Sequence, residues 1–160
     1  MLDQAFAEVY SKFKLHFYQK VFSRFQDREA SLTTVESFCM EIIQALHGPT
    51  VNEFASFVQI SPPNAAYKVN SLIQKGYLRK VRSKDDRREY YLRVTQKYFD
   101  YYNISYSYLS MVMERIKQRF TEEDVTKLEQ MLQIISAELM PEIELPKQHE
   151  NQEYPAGLPW

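Results

Sequence analysis

Arg82-Ser83-Lys84-Asp85-Asp86-Arg87-Arg88-Glu89-Tyr90-Tyr91-Leu92-Arg93-Val94-Thr95 is a charged hairpin tip that runs into alternating side chains, directly after a helical stretch ending at Gly76. Tyr90, Leu92 and Val94 fall on one face and Glu89, Tyr91 and Arg93 on the other, the period-two pattern of a half-buried strand. The tip holds cations where nothing can bury them. Residues 67–93 carry a net +6 in a chain whose total is −1, so the remainder sums to −7. A near-neutral chain that gathers its positive charge beside one helix and one hairpin has the electrostatic footprint of a surface that grips a phosphate backbone.

Upstream of the hairpin, Thr50 and Glu53 have capping-box spacing ahead of Val51, Phe54, Ala55 and Val58, which predicts a short helix ending near Ile60. Ser61 starts another cap. Pro62 and Pro63 occupy the first turn of the next helix, where a missing N–H is harmless, and Gly76 suits its exit. Two short helices separated by a tight turn and followed by a hairpin make a helix-turn-helix with a wing, whose second helix is the reader. Its buried side is expected to be Ala66, Val69, Leu72 and Ile73, while Asn64, Tyr67, Lys68, Ser71 and Lys75 fall together on the outward side.

Working further out, residues 4–26 place Phe6, Val9, Tyr10, Phe13, Phe17, Val21 and Phe22 at helical spacing. A second helix, capped by Thr33 or Thr34, carries Val35, Phe38, Cys39, Ile42, Ile43 and Leu46 as a core stripe and stops at Gly48-Pro49. After Thr95 a long helical stretch runs to about Phe120. Thr121 and Asp124 cap a last helix in which Val125, Leu128, Leu132, Ile135 and Leu139 form a seam for another helix, which reads as a dimerisation element. With 160 residues, 44% hydrophobic and three glycines, the chain is expected to be mainly α and to form one domain. Asp3 and Glu8 break any leader-like apolar run, no stretch reaches membrane-spanning length, and a single cysteine makes no intramolecular disulfide, so a cytoplasmic location is expected.

The capped pair over 50–60 and 61–75, the Leu72-x-x-x-Gly76-Tyr77-Leu78 exit, and the Arg82-x-x-x-Asp86-x-Arg88 wing leading into Leu92-Arg93-Val94-Thr95 together resemble the MarR family of bacterial transcription regulators, over roughly residues 4–140. The resemblance implies a winged helix-turn-helix over about 33–95 and long dimerisation helices over about 4–26 and 96–140, in one domain spanning 1–140. From Pro141 onward the prolines and glutamates lead to the expectation of a disordered tail over 141–160, which has no counterpart in the family pattern. The resemblance also implies a homodimer whose recognition helices enter successive major grooves of a pseudo-palindromic double-stranded DNA site while the wings reach the flanking minor grooves. By similarity, Arg88 is the minor-groove arginine and Asp86 the carboxylate that orients it. Gln96-Lys97-Tyr98 stand where the family commonly has a glycine, a feature similar to the SarA-like branch. Ala65-Ala66-Tyr67-Lys68 replace residues that many members use to read bases, so base preference is this chain's own.

The candidate DNA contacts are therefore Asn64, Tyr67, Lys68, Ser71 and Lys75 on the helix, and Arg82, Lys84, Arg87 and Arg88 on the wing. Asn64 can pair with adenine by chemistry or serve the helix start. Tyr98, Tyr101, Tyr102 and Tyr106 lie where the family forms an effector cleft. They can line a site for a small aromatic or phenolic effector, or pack an interface. Cys39 sits on an apolar stripe that disfavours thiolate and hence redox sensing. His16, His47 and His149 form no ligand-spaced pair, so no metal or other cofactor is expected. The chain lacks a phosphate-cradling glycine loop and a nucleophile with an evident base, which argues against an enzyme. The leading expectation is a repressor released by a small-molecule or other signal. The rival is a winged-helix module that binds a protein partner and leaves DNA alone.

Overall fold

The computed structural model describes residues 1–24, 32–102 and 104–144, with the side chains of Arg24, Tyr101, Tyr102, Ile104 and Ser105 outside the described set. In chain order the elements are α1 (Leu2–Arg24), α2 (Thr34–Ala45), α3 (Val51–Val58), α4 (Pro62–Gln74), β1 (Leu78–Arg82), β2 (Tyr90–Val94), α5 (Gln96–Tyr102), α6 (Ile104–Arg119) and α7 (Glu122–Glu138). The class is mainly α with one small antiparallel hairpin, as the spacing predicts. Two compact units emerge. One contains α1, α6 and α7, the other α2 to α5 with the hairpin. The expected helical stretch from 96 to about 120 is thus shared between the units as α5 and α6.

Caps set the local starts. Thr33 accepts from the Glu36 N–H while the Glu36 carboxylate accepts from the Thr33 N–H, a reciprocal box that launches α2. The Thr50 hydroxyl accepts from the Glu53 N–H at α3, and Ser61 from the Asn64 N–H at α4, with Pro62 and Pro63 in the first turn. At the end of α4, Gly76 adopts φ +83, its N–H bonds the Ile73 carbonyl, and the Tyr77 N–H bonds the Leu72 carbonyl. That is a Schellman closure, which needs the left-handed backbone that glycine adopts without strain.

The core of the α2–α5 unit gathers Leu32, Cys39, Met40, Ile43, Phe54, Ala55, Ala65, Val69, Leu72, Tyr77, Leu78, Leu92 and Tyr98. Two sequence expectations shift here. On α4 it is Ala65, with Val69 and Leu72, that is fully buried, while Ala66 is only half-buried. Positions 65, 69 and 72 stack one above another along a 3.6-residue turn, whereas 66 lies 100° to the side. On α2, Val35 and Phe38 are exposed. The buried residues of α2 are Ser37, Cys39, Met40 and Ile43, and Val35 and Phe38 lie on the flank of that face.

The hairpin pairs Leu78 with Val94, Lys80 with Leu92 and Arg82 with Tyr90. Its second strand is also tied to the start of α3: Thr50 bridges Tyr91, and the Leu92 N–H bonds the Pro49 carbonyl at 2.8 Å. The middle of β2 is therefore fastened to the residues that lead into α3, since each such bond satisfies a backbone group that burial would otherwise leave without water.

In the other unit, α1 packs on α6 through Phe13 and His16, whose rings meet Tyr108 edge-on and stacked, respectively. The α7 seam is left open: Leu128, Leu132 and Leu139 are exposed, Val125 and Ile135 half-buried. Phe6, Val9, Tyr10 and Phe22 of α1 are exposed as well. Among the described residues no helix is long and apolar enough to cross a membrane. Of the expected tail, residues 145–160 lie outside the described residues, as do residues 25–26 of the expected first helix.

Candidate nucleic-acid interface

The wing tip is a constructed turn. The Ser83 side chain is buried, and its hydroxyl accepts from the Asp85 and Asp86 N–H groups, both at 3.2 Å. Asp86 Oδ1 then accepts from the Arg88 N–H at 2.9 Å and stands 3.6 Å from Arg88 Nε. The Arg82 Nε donates to the Arg87 carbonyl at 2.9 Å, and the Ser83 N–H to the Glu89 carbonyl, which closes the loop from both sides. A short serine or aspartate side chain that captures N–H groups two or three residues on is the usual way to hold such a turn. The result presents Lys84, Arg87 and Arg88 to solvent, with the Arg88 side chain 94% exposed. The Asp86–Arg88 pair is too exposed to stabilise the fold much, but it biases the arginine's direction.

On α4 the five outward candidates divide. Asn64 and Tyr67 are exposed, Tyr67 at 77%, and Lys68 is half-buried. Ser71 and Lys75 are turned toward α2: the Ser71 hydroxyl donates to Glu36 Oε1 at 2.8 Å, and Lys75 Nζ donates to both oxygens of Glu36, at 2.9 and 2.7 Å. The expectation that all five face outward alike is corrected to that extent. Helical spacing puts Ser71 and Lys75 on the same face as Asn64, but the N-terminus of α2 reaches the last turns of α4 and supplies a carboxylate. Burial opposes ionisation of Glu36, but the Lys75 ammonium, the Thr33 N–H and the Ser71 hydroxyl outweigh it and hold the carboxyl down to about 2.

A lowered carboxyl contributes stability above its unfolded-state pKa, which is lost as pH falls through the folded value. Stability of the α2–α5 unit is accordingly expected to drop between about pH 4.5 and pH 2. The part of that drop due to Glu36 is absent in Glu36→Gln. Denaturant midpoints of the two proteins measured through this range give the comparison, and parallel curves would refute the assignment.

The exit of α4 is tied down a second time. Lys97 Nζ donates to the Lys75 carbonyl at 2.8 Å and sits 4.6 Å above the Tyr77 ring, while the Thr95 hydroxyl donates to the Gly76 carbonyl at 2.6 Å. A cation at the last carbonyls of a helix complements its dipole. Sequence reasoning noted Lys97 only as a departure from the family pattern and did not single out Glu36 or Ser83. The Thr33-x-x-Glu36 spacing is a signal from which the cap could have been placed at Thr33, but nothing local marks Glu36's second set of partners.

Tyr98 is corrected as an effector-site candidate. It is 1% exposed within the core, and its hydroxyl donates to Glu41 Oε1 at 2.8 Å, so it lines no cleft. The Tyr101 and Tyr102 side chains lie outside the described residues, and Tyr106 is half-buried on α6. Cys39 is buried, and desolvation pushes its thiol upward, the direction opposite to a reactive thiolate.

The MarR family model matches residues 32–90, the span from the entry of α2 to the first residue of β2. No curated protein matches the chain. Among solved structures, Streptococcus pneumoniae FabT in complex with DNA is similar at 18% identity, over 84% of this chain and 92% of that one, with a TM-score of 0.54. A mutant of MepR from a multidrug-resistant S. aureus clinical isolate is similar at 16% identity, over 87% and 97%, with a TM-score of 0.59. The transcriptional regulator Tm0710 of Thermotoga maritima is similar at 19% identity, over 84% and 91%, with a TM-score of 0.53. At such identities the likeness shows a shared fold, α-helices around a two-stranded wing. The family match and the built wing agree: residues 32–90 of this chain are similar to the MarR family, and the neighbours share its winged helix-turn-helix fold.

Proposed function

We propose that the protein is a DNA-binding transcription regulator that acts as a homodimeric repressor on a pseudo-palindromic operator and is released by a small-molecule or other signal. The observation that carries this reading is the wing tip, where Ser83 and Asp86 are used up in holding a turn whose product is a set of exposed cations. The mechanism is displacement of condensed counterions by Lys84, Arg87 and Arg88, with Arg88 entering a narrow minor groove and Asn64, Tyr67 and Lys68 facing the major groove. Dimerisation is supported by the apolar residues that α1 and α7 leave exposed, Phe6, Val9, Leu132 and Leu139 among them, since α-helices with uncovered seams gain most by covering them with another helix.

The test is gel retardation of double-stranded genomic fragments across a salt series, with sedimentation to give the subunit number. Retention that weakens steeply as salt rises, by a dimer, is the expected result. A monomer, or a dimer that retains no duplex at low salt, would overturn the proposal and favour a module that binds protein instead.

A further inference from the structure

We infer that Glu36 is the positioning residue of the recognition helix, and that Lys75, although it lies on the DNA-facing side by spacing, serves as the peg that Glu36 holds and makes no contact with phosphate. This rests on the DNA-binding reading above and names the residues that set the helix's angle.

Three observations converge on the last turns of α4. The Glu36 side chain is 12% exposed, and its two oxygens accept from Ser71 Oγ, from Lys75 Nζ twice and from the Thr33 N–H. One carboxylate thus closes the start of α2 and grips α4 at two positions one turn apart. On the other side of the same turn, Lys97 Nζ holds the Lys75 carbonyl, and Thr95 holds that of Gly76. The residue at the centre of this clamp is Lys75, whose ammonium goes to α2 and whose carbonyl goes to α5.

The pair is partly buried, with the Lys75 side chain 31% and the Glu36 side chain 12% exposed, and it is doubly hydrogen-bonded, so breaking it leaves the more buried carboxylate short of a partner. Lys75 therefore stays with Glu36 rather than leaving it for a phosphate in open solvent, where the attraction is screened. Arg88 stands in contrast, since its carboxylate partner is half exposed and the pair is 3.6 Å apart. Only the second kind of cation is available for counterion displacement. A helix whose far end is fixed in this way presents Asn64 and Tyr67 at a constant angle, which is what discrimination between bases requires.

The experiment compares the salt dependence of binding for the wild type, Lys75→Ala, Glu36→Gln and Arg88→Ala. The probes are the duplex that the wild type selects from a randomised pool and the unselected pool itself. Arg88→Ala is expected to make the slope of log affinity against log salt shallower by about 0.9, the value for one lost phosphate contact. Lys75→Ala is expected to keep the wild-type slope, and both Lys75→Ala and Glu36→Gln are expected to lose about tenfold or more of the preference for the selected duplex. Ser71→Ala, which removes one bond and leaves the ion pair, is expected to lose a smaller part and serves as the readout if either charge variant fails to fold. A slope that becomes shallower in Lys75→Ala as it does in Arg88→Ala overturns the inference, as does wild-type preference in folded Lys75→Ala, Glu36→Gln or Ser71→Ala. A wild type that shows no salt-sensitive binding overturns the DNA reading itself and is distinguished from both by the first titration.

Discussion

Leu72→Ala is expected to lower the unfolding free energy of the protein by about 2–5 kcal/mol. Leu72 is completely buried on α4, in one cluster with Met40, Ile43, Phe54 and Leu92. Truncation removes the transfer energy of the lost methyl groups and leaves a cavity that neighbouring helices refill only in part. The Schellman bond from the Tyr77 N–H goes to the Leu72 backbone carbonyl and survives the change, so the loss isolates the side chain's packing. Against a total of about 5–15 kcal/mol for an ordinary domain, this is enough to thin the folded population near the upper end of its working temperature. Urea unfolding followed by circular dichroism measures it. Gln74→Ala, at an exposed position two residues further along α4, is the control and is expected to stay within about 0.5 kcal/mol of wild type. A change in Leu72→Ala as small as that of the control would mean that the recognition helix does not rest on a filled core.

Arg88→Ala is expected to weaken duplex binding by about 1–3 kcal/mol while leaving the melting temperature unchanged. The side chain is almost wholly in solvent, so its removal opens no cavity and strands no buried partner. Its contribution lies in binding, where a guanidinium in a narrow minor groove meets a strengthened negative potential. Asp86→Ala is expected to act in the same direction and more weakly. It removes the acceptor of the Arg88 N–H and the nearby charge that aims the arginine, but not the arginine itself. Binding measured by fluorescence anisotropy, with melting curves on the same samples, separates affinity from folding. A folded Arg88→Ala protein with wild-type affinity would remove the wing tip from the interface.

Much of this architecture was legible before any coordinates. Capping residues and prolines located the starts of α3 and α4, because an unpaired N–H at a helix start must be satisfied by something nearby in the chain. Gly76 located the end of α4, since a left-handed residue is needed there. Alternation after the tip located β2, and the cluster of cations marked the wing. What misread was always a question of which face met what. Val35 and Phe38 are apolar and spaced as core residues, yet they are exposed. The resemblance puts Tyr98 at a cleft or a packed interface, and the structure has it buried and hydrogen-bonded to Glu41.

Periodicity and end signals are local, acting over three or four residues, and so the order of residues alone determined the helices, the hairpin and the set of side chains that share each face. The fate of a polar side chain on such a face depends on the element packed opposite, and that element is remote in the chain: Glu36 lies 35 residues from Ser71 and 39 from Lys75, and Tyr98 lies 57 from Glu41. Tertiary packing alone decided that Ser71 and Lys75 are held by a carboxylate while Arg88 is left in water. The physical reason is that desolvation and charge pairing are properties of a neighbourhood in space, which no spacing along the chain encodes.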